Sequence, residues 1–477
     1  MKRYNILLLF VCLAISAFSQ ADLQYHCTYG FTYEMSQQES WGYQKPVILS
    51  VYPMSAADEA GMQPNDIIEY INDRPTKGEK LEIIDEWMHD VNEDVIKITF
   101  SNLKEKNKTA TLTKQCMFSN IITEKDIASS FAFYSLEDIQ TRSFVCPFRT
   151  TTNTKEDIIS YKTFNFYNTS NDNIELENTI RQSIKTALED KGLTFSNNNP
   201  DLIIYSYYSY NDNQNYRANE SNKRLKTACR YNVITNKMEE MPIYDDASVS
   251  NNQAAYTLNL GIRLVDTKQS TPTNLVIVWE CEANELLKSN YGMDNYCKVH
   301  IPLMFKQFPF AKTKEYAKFL YTQMKYNYSG INYDINNLEK IIKVDDNSPA
   351  YNSGIRTGDR IEKVNSIKFE KKKKEIDERY KQFIYNTLEF RDFRTMYTNS
   401  YGFEKCAYWD KLKYPQVAEV FRSNMYLTQF SYLFYFEPFI NPSETNVITF
   451  NIKREKEKLQ FKVWPVVKQE QSFETIR

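Results

Sequence analysis

The feature that most restricts this chain is a long-range echo. Val47–Asn72 and Lys340–Asn365 align without a gap at an offset of 293 residues. Nine of the 26 positions are identical: Ile48/Ile341, Val51/Val344, Ser55/Ser348, Ala57/Ala350, Gly61/Gly354, Asp66/Asp359, Ile68/Ile361, Glu69/Glu362 and Asn72/Asn365. A solenoid repeats every 20–50 residues or so. An offset this large means one small module used twice, with something different between the copies.

Each copy reads the same way. Pro46–Val51 and Leu338–Val344 are short apolar strands. Ser55 and Ser348 have the side chain to cap a one- to two-turn helix, and Gly61 and Gly354 end it. A turn carrying Asp66 or Asp359 leads into a second strand that closes at Asn72 or Asn365, where Asn tolerates the left-handed conformation. Glycine is scarce, 11 in 477 residues, and five of them (Gly30, Gly61, Gly330, Gly354, Gly358) fall in these modules. Backbone there needs positive φ or close approach.

This order resembles the PDZ domain, whose phrase is a strand, Ser-Pro-Ala-x-x-x-Gly, a Pro-Gly-Asp turn, and a strand ending Ile-Asn-Gly. The resemblance implies a small β-barrel or sandwich in each copy, with a peptide groove. In the first copy Tyr29, Gly30, Phe31, Thr32 and Tyr33 stand where the family has its carboxylate-binding loop and groove strand. The helix over Gly78–Val91 aligns Leu81, Ile84, Trp87 or Met88, and Val91 on one face, so Leu81 and Ile84 complete the first groove. In the second copy the loop is Ser329, Gly330 and Ile331, without the aromatic residue after glycine. The resemblance also implies that Cys27 and Cys116, which bracket the first module on terminal strands, lie within disulfide reach. About 58 extra residues enter the second copy after Asn365. They are rich in aromatics (Tyr380, Phe383, Phe390, Phe393, Tyr397, Trp409, Phe421, Phe430, Phe434) and are expected to pack as helices beside the second groove, narrowing or covering it, leaving the first as the better peptide site.

Between the copies, Tyr161–Tyr167 alternates like a strand, and Leu176, Ile180, Ile184 and Leu188 form a helical stripe ending at Lys191-Gly192. Further strands follow at Pro200–Tyr205, Leu258–Asp266 and Asn274–Glu282. Tyr161-Lys162-Thr163-Phe164, Lys191-Gly192-Leu193 before Asp201-Leu202-Ile203, and Leu264-Val265-Asp266 before Val278-Trp279 resemble domain of unknown function 4136 over Asp157–Pro309.

The N-terminus, Met1-Lys2-Arg3 followed by the apolar run Ile6–Phe18 and small polar residues, has the pattern of a secretory leader, with cleavage expected between Ser19 and Asp22. The formal net charge of −2 offers no attraction to nucleic acid or anionic lipid. Seven of the eight cysteines lie beyond the leader, an odd number, so at least one thiol stays unpaired or bonds another chain. The usage of Tyr, Phe, Asn and Lys resembles that of a Bacteroidetes envelope protein.

The only histidines, His26, His89 and His300, sit in separate segments. No Gly-flanked nucleophilic Ser motif of a serine protease is present, and no H-x-x-x-H for zinc. Residue type alone leaves a Ser/Lys dyad open. No enzyme activity, metal or cofactor is expected.

The expected architecture is therefore α+β and multidomain. A leader (1–21) precedes a PDZ-like domain (22–118), a linker (119–156) and an α+β middle domain (157–310). A second PDZ-like domain (311–470) follows, with a helical insertion at about 370–440, then a tail (471–477). The expected function is non-catalytic capture of peptide segments or C-termini of envelope proteins by β-augmentation, in the periplasm or at the outer membrane. The alternatives are purely structural modules with self-filled grooves, or a peptidase-associated protein.

Overall fold

The structure is a computed structural model that describes residues 25–52, 55–89, 93–118, 120–131, 139–153, 155, 157–168, 173–217, 225–245, 249–309, 316–369, 372–396, 406–423, 426, 430–434 and 447–476. The expected leader and its cleavage site lie outside them, as do Val91 and Tyr397.

Alternation builds the first module's sheet. Lys108–Thr113 buries Ala110 and Leu112 and exposes the threonines between them, the period-2 pattern of a strand with one face on a core. Its sheet runs Phe31–Met35, Pro46–Val51, Ile67–Ile71, Val95–Ser101, Lys108–Thr113, every neighbour antiparallel. The second module repeats this order with Ile331–Asp334, Asn337–Val344, Arg360–Val364, Ile448–Arg454 and Glu457–Val463.

The echoed residues do equivalent work in both copies. Ser55 Oγ accepts from the Asp58 N–H at 3.2 Å and Ser348 Oγ from the Tyr351 N–H at 3.2 Å, capping the short helices Ala56–Glu59 and Pro349–Ser353. Asn72 and Asn365 sit at φ +46° and +47°. Their side-chain oxygens accept from the Lys97 and Thr449 N–H groups, both at 2.8 Å, and so tie each turn to the next strand. The copies differ at their buried aspartates. Asp359 is held by Arg454 at 2.7 and 2.8 Å, whereas Asp66 receives Asn102 at 2.9 Å, and burial raises it to about 6.

The middle domain is a sheet ordered Thr194–Phe195, Thr163–Phe166, Leu202–Asp212, Tyr256–Asp266, Ile277–Leu287, Lys237–Tyr244, Thr227–Asn232, with Phe148–Thr152 also on Ile277–Leu287. Helices Ile174–Asp190 and Met293–Met304 supply the other layer, and Leu176, Ile180, Ile184 and Leu188 are buried. The molecule is α+β throughout.

The boundaries between these units differ from the expected ones. Trp41, Val47, Ile67 and Leu103 of the first module share one apolar cluster with the middle domain, and Lys162 Nζ donates to the Leu103 carbonyl at 2.7 Å. At this contact Gly192 (φ +100°) meets Lys104 so closely that a Cβ would lie 2.8 Å from its backbone nitrogen. The described residues of 119–156 are not a linker. They contain strand Ile121–Thr123, helix Glu124–Phe131 and strands Ile139–Cys146 and Phe148–Thr152. Nor is 471–477 a tail, because strand Val466–Ile476 pairs along Ala317–Tyr328, whose other edge carries Ile139–Cys146. Ala317–Tyr328 gives Phe319 and Tyr321 to the middle core and Tyr326 to that of the second module. A strand shared between two cores couples them, which hydrophobic patterning of either unit alone does not reveal.

The middle core also encloses charge. Arg230 and Glu285 pair at 2.6 and 3.2 Å, Tyr296 donates to Glu285 at 2.9 Å, and His300 Nε2 lies 3.3 Å from Arg230. All four are buried. Burial and then the Arg230 charge hold His300 well below its ordinary range, so its imidazole is neutral. Removing one member of such a pair strands the other charge in the core. Glu285→Ala is expected to lower stability by about 3–5 kcal/mol, and Arg230→Met/Glu285→Leu by clearly less. Urea denaturation of the three proteins checks this.

Candidate peptide grooves

The loop before each groove strand is shaped by one glycine. Gly30 (φ +92°) and Gly330 (φ +89°) each pass so close to the capping serine that a Cβ would lie 2.0 Å from Ser55 Cβ and 2.2 Å from Ser348 Cβ. The backbone bonds correspond. Tyr52 N–H donates to Gly30 O at 2.7 Å and Asp345 N–H to Gly330 O at 2.9 Å; Ala57 N–H donates to Tyr29 O at 3.1 Å and Ala350 N–H to Ser329 O at 2.9 Å. With the carbonyls used inward, the Ser329 and Gly330 amides of the second loop are left for other acceptors.

In the second module those amides hold a carboxylate from the chain itself. Ile121–Thr123 pairs antiparallel with Ile331–Asp334, Thr123 opposite Asn332, Ile122 opposite Tyr333 and Ile121 opposite Asp334. The next residue, Glu124, places its side chain in the loop. Ser329 N–H donates to Oε2 at 2.7 Å, Gly330 N–H to Oε2 at 3.1 Å, and Tyr432 O–H to Oε1 at 2.8 Å, joined by the Ser329 hydroxyl on Oε1. Ile122 is buried in the module's core, a contribution of about 1.5–3 kcal/mol. The strand stops because Thr123 and Asp126 cap the helix that follows, the Thr123 N–H on the Asp126 carboxylate at 3.0 Å and the Asp126 N–H on Thr123 Oγ1 at 3.1 Å. Lys125 Nζ reaches Glu470 at 2.5 Å.

Among its described residues, the insertion borders this groove rather than filling it. Its helix Lys373–Asn386 takes the place of the first module's Leu81–Met88, and Tyr380, Phe383, Trp409, Phe421, Phe430 and Phe434 are buried in the module's core. Phe390 only flanks that core, and Phe393 is exposed. Its contribution to the groove is Tyr432, which donates to Glu124 and lies 2.7 Å from the Tyr333 hydroxyl.

In the first module, among the described residues, no strand pairs with the outer edge of Phe31–Met35. The Gly30 N–H donates to Thr28 Oγ1 at 3.0 Å. Tyr29, Phe31 and Ile84 are buried. Thr32 hydrogen-bonds Ser50 at 2.6 Å, and the Tyr33 phenol bonds Asp85 across the strand–helix gap. Burial, then Asp85, pushes that phenol far above its ordinary value. Leu81 is 43% exposed at the helix start. The helix is shorter than Gly78–Val91: Gly78 (φ +82°) turns the chain into it, and His89 caps its end.

A crystal structure of a PDZ domain protein from Parabacteroides distasonis is 41% identical, covering 95% of this chain and 100% of its own, with a TM-score of 0.84. The chain belongs to the family of that PDZ domain protein. Residues 149–310 match the model of a domain of unknown function, DUF4136. Two protease structures overlap far less. An HtrA-type protease with a decapeptide is 18% identical (24% of this chain, 34% of that one), and the photosystem II D1 C-terminal processing protease is 12% identical (38% and 42%). Both have TM-scores of 0.16. No curated protein matches the chain. Among the described residues no helix is long and apolar enough to cross a membrane.

The structure thus gathers Tyr29, Gly30, Phe31, Tyr33 and Ile84 in one module and Ser329, Gly330 and Ile331 in the other. The residues that sequence reasoning missed are Ile122, Glu124 and Tyr432. Thr123-x-x-Asp126 was readable as a helix start, but nothing in its surroundings signals a loop 205 residues away.

Burial raises the Glu124 carboxyl from 4.5 to about 7, against its four donors, which favour the ionised form. The folded protein therefore binds the extra proton between about pH 4.5 and 7. Stability from this group is fully present below pH 4.5 and lost as pH rises through 7. The stability of the wild type relative to Glu124→Gln is expected to fall by about 3 kcal/mol between pH 4.5 and 8, measured by urea titrations across that range.

Proposed function

We propose that this is a non-catalytic exported binding protein, periplasmic or peripheral to the outer membrane. Both flanking modules are PDZ-like, and the first captures C-termini or extended segments of other envelope proteins by adding them to the edge of Phe31–Met35. The observation that supports this most is the correspondence of the two loops. The loop of the second module receives a carboxylate at the end of an added antiparallel strand, and the loop of the first has the same backbone bonds beside an edge that no described strand pairs. Peptide backbone bonds to that edge, the loop amides take the carboxylate, and Ile84 and Phe31 floor the groove. The purely structural reading fits the second module as it stands, because its groove is filled by Ile121–Glu124.

In this reading Cys27 is bridged to Cys116. Cys27 is disulfide-bonded and faces Cys116 across antiparallel strands, joining the two ends of the first module. Peptide mapping without reductant is expected to recover Cys27 linked to Cys116; any other partner refutes the bridge.

Hydrogen exchange on the mature protein with a library of C-terminal peptides tests capture. Slowed exchange across Tyr29–Met35 is expected, with free-carboxylate peptides bound about tenfold or more tighter than their amides, since hydrogen bonds to a charged group are worth about 1.5–3 kcal/mol. Unchanged exchange there with every peptide overturns the proposal.

A further inference from the structure

Residues 121–124 occupy the second groove as a ligand does. Three residues pair with the groove strand, one aliphatic side chain enters the core, and one carboxylate ends in the loop. A strap needed only for stability would do better with an apolar residue at position 124, because burying a carboxylate costs several kcal/mol of desolvation that hydrogen bonds only partly offset. The two amides on one oxygen and the two hydroxyls on the other instead recognise a carboxyl group, whichever chain supplies it. The segment is also placed to leave. Among the described residues Ile121–Thr123 pairs only with Ile331–Asp334, at the end of the sheet, so its departure breaks no other strand pairing there.

We propose that Ile121–Glu124 is a resident surrogate ligand, the Glu124 side chain standing in for a chain terminus, and that the second groove is a latent receptor. Its external ligand is an extended peptide with an aliphatic residue at the place of Ile122 and a free α-carboxylate at the place of the Glu124 carboxylate. The inference rests on the reading of these loops as carboxylate receptors, but not on the first groove having a ligand. Because the groove is open only in the fraction of molecules whose resident strand has left, apparent affinity for an outside peptide is reduced by that fraction. Weakening the resident raises the affinity without altering the groove itself.

The probe is a peptide repeating residues 117–123 and ending in alanine with a free carboxylate, with p-benzoylphenylalanine in place of its phenylalanine. Its C-terminal amide is the control. The full mature chain is used as wild type, Glu124→Gln and Glu124→Ala. Binding about tenfold or more tighter to both variants than to wild type is expected, lost with the amide, with cross-links mapping to Tyr328–Leu338. In wild type, saturating probe is expected to speed exchange of the Ile122 and Thr123 amides. If Glu124→Ala fails to fold, Glu124→Gln and the wild-type exchange decide. Equal affinity for wild type and variants, or unchanged exchange at Ile122 and Thr123, overturns the proposal. Cross-links confined to Tyr29–Gln38 overturn it and leave first-groove capture standing; cross-links confined to Tyr328–Leu338 support it, and first-groove capture keeps its own test.

Discussion

The carboxylate of Glu124 ties together parts of the chain that are far apart in sequence. Its oxygens receive the Ser329 and Gly330 amides and the Ser329 and Tyr432 hydroxyls. That gathers the segment leaving the first module, the loop of the second and the insertion. A buried carboxylate is tolerated only where donors replace the water it has lost, so each of these elements must be in place before the site is favourable. The arrangement is all-or-none at close range: without the resident strand the loop amides lose their acceptor, and without Tyr432 one oxygen loses a donor.

Rigidity elsewhere gives this contact something to hold. The first module is joined to the middle domain through Trp41, Val47, Ile67 and Leu103 and the close approach at Gly192. The middle domain is joined to the second module by strand Ala317–Tyr328, which serves both cores. The three units are therefore not beads on a string. The resident strand runs across the second module's edge from a first module that is itself docked, which fixes both ends of its path.

The two grooves share their loops and differ in what surrounds them. Their loops share backbone bonds, φ values and a serine under the glycine. What separates them is whether a strand is already present and how large the covering element is. The second has a 14-residue helix and an aromatic insertion where the first has an 8-residue helix. The buried Arg230–Glu285 pair in the middle domain is a separate feature, enclosed by its own core and far in sequence from either loop.

Much of this was legible in the sequence because the governing physics is local. A hydroxyl before a short helix marked Ser55 and Ser348, and tolerance of positive φ marked Asn72 and Asn365. Each depends on neighbours within a few residues, and so do the loops at Gly30 and Gly330. The helical stripe Leu176–Leu188 was likewise set by spacing alone. Tertiary structure decided the rest. Residues 119–156 looked like a connection because their strands find partners far away, Ile121–Thr123 on Ile331–Asp334 and Ile139–Cys146 on Ala317–Tyr328. The occupant of the second groove was invisible for the same reason. A glutamate at a helix start reads as a surface residue until the fold brings four donors to it, and the closure of a loop 205 residues long leaves no trace in the residues that flank it.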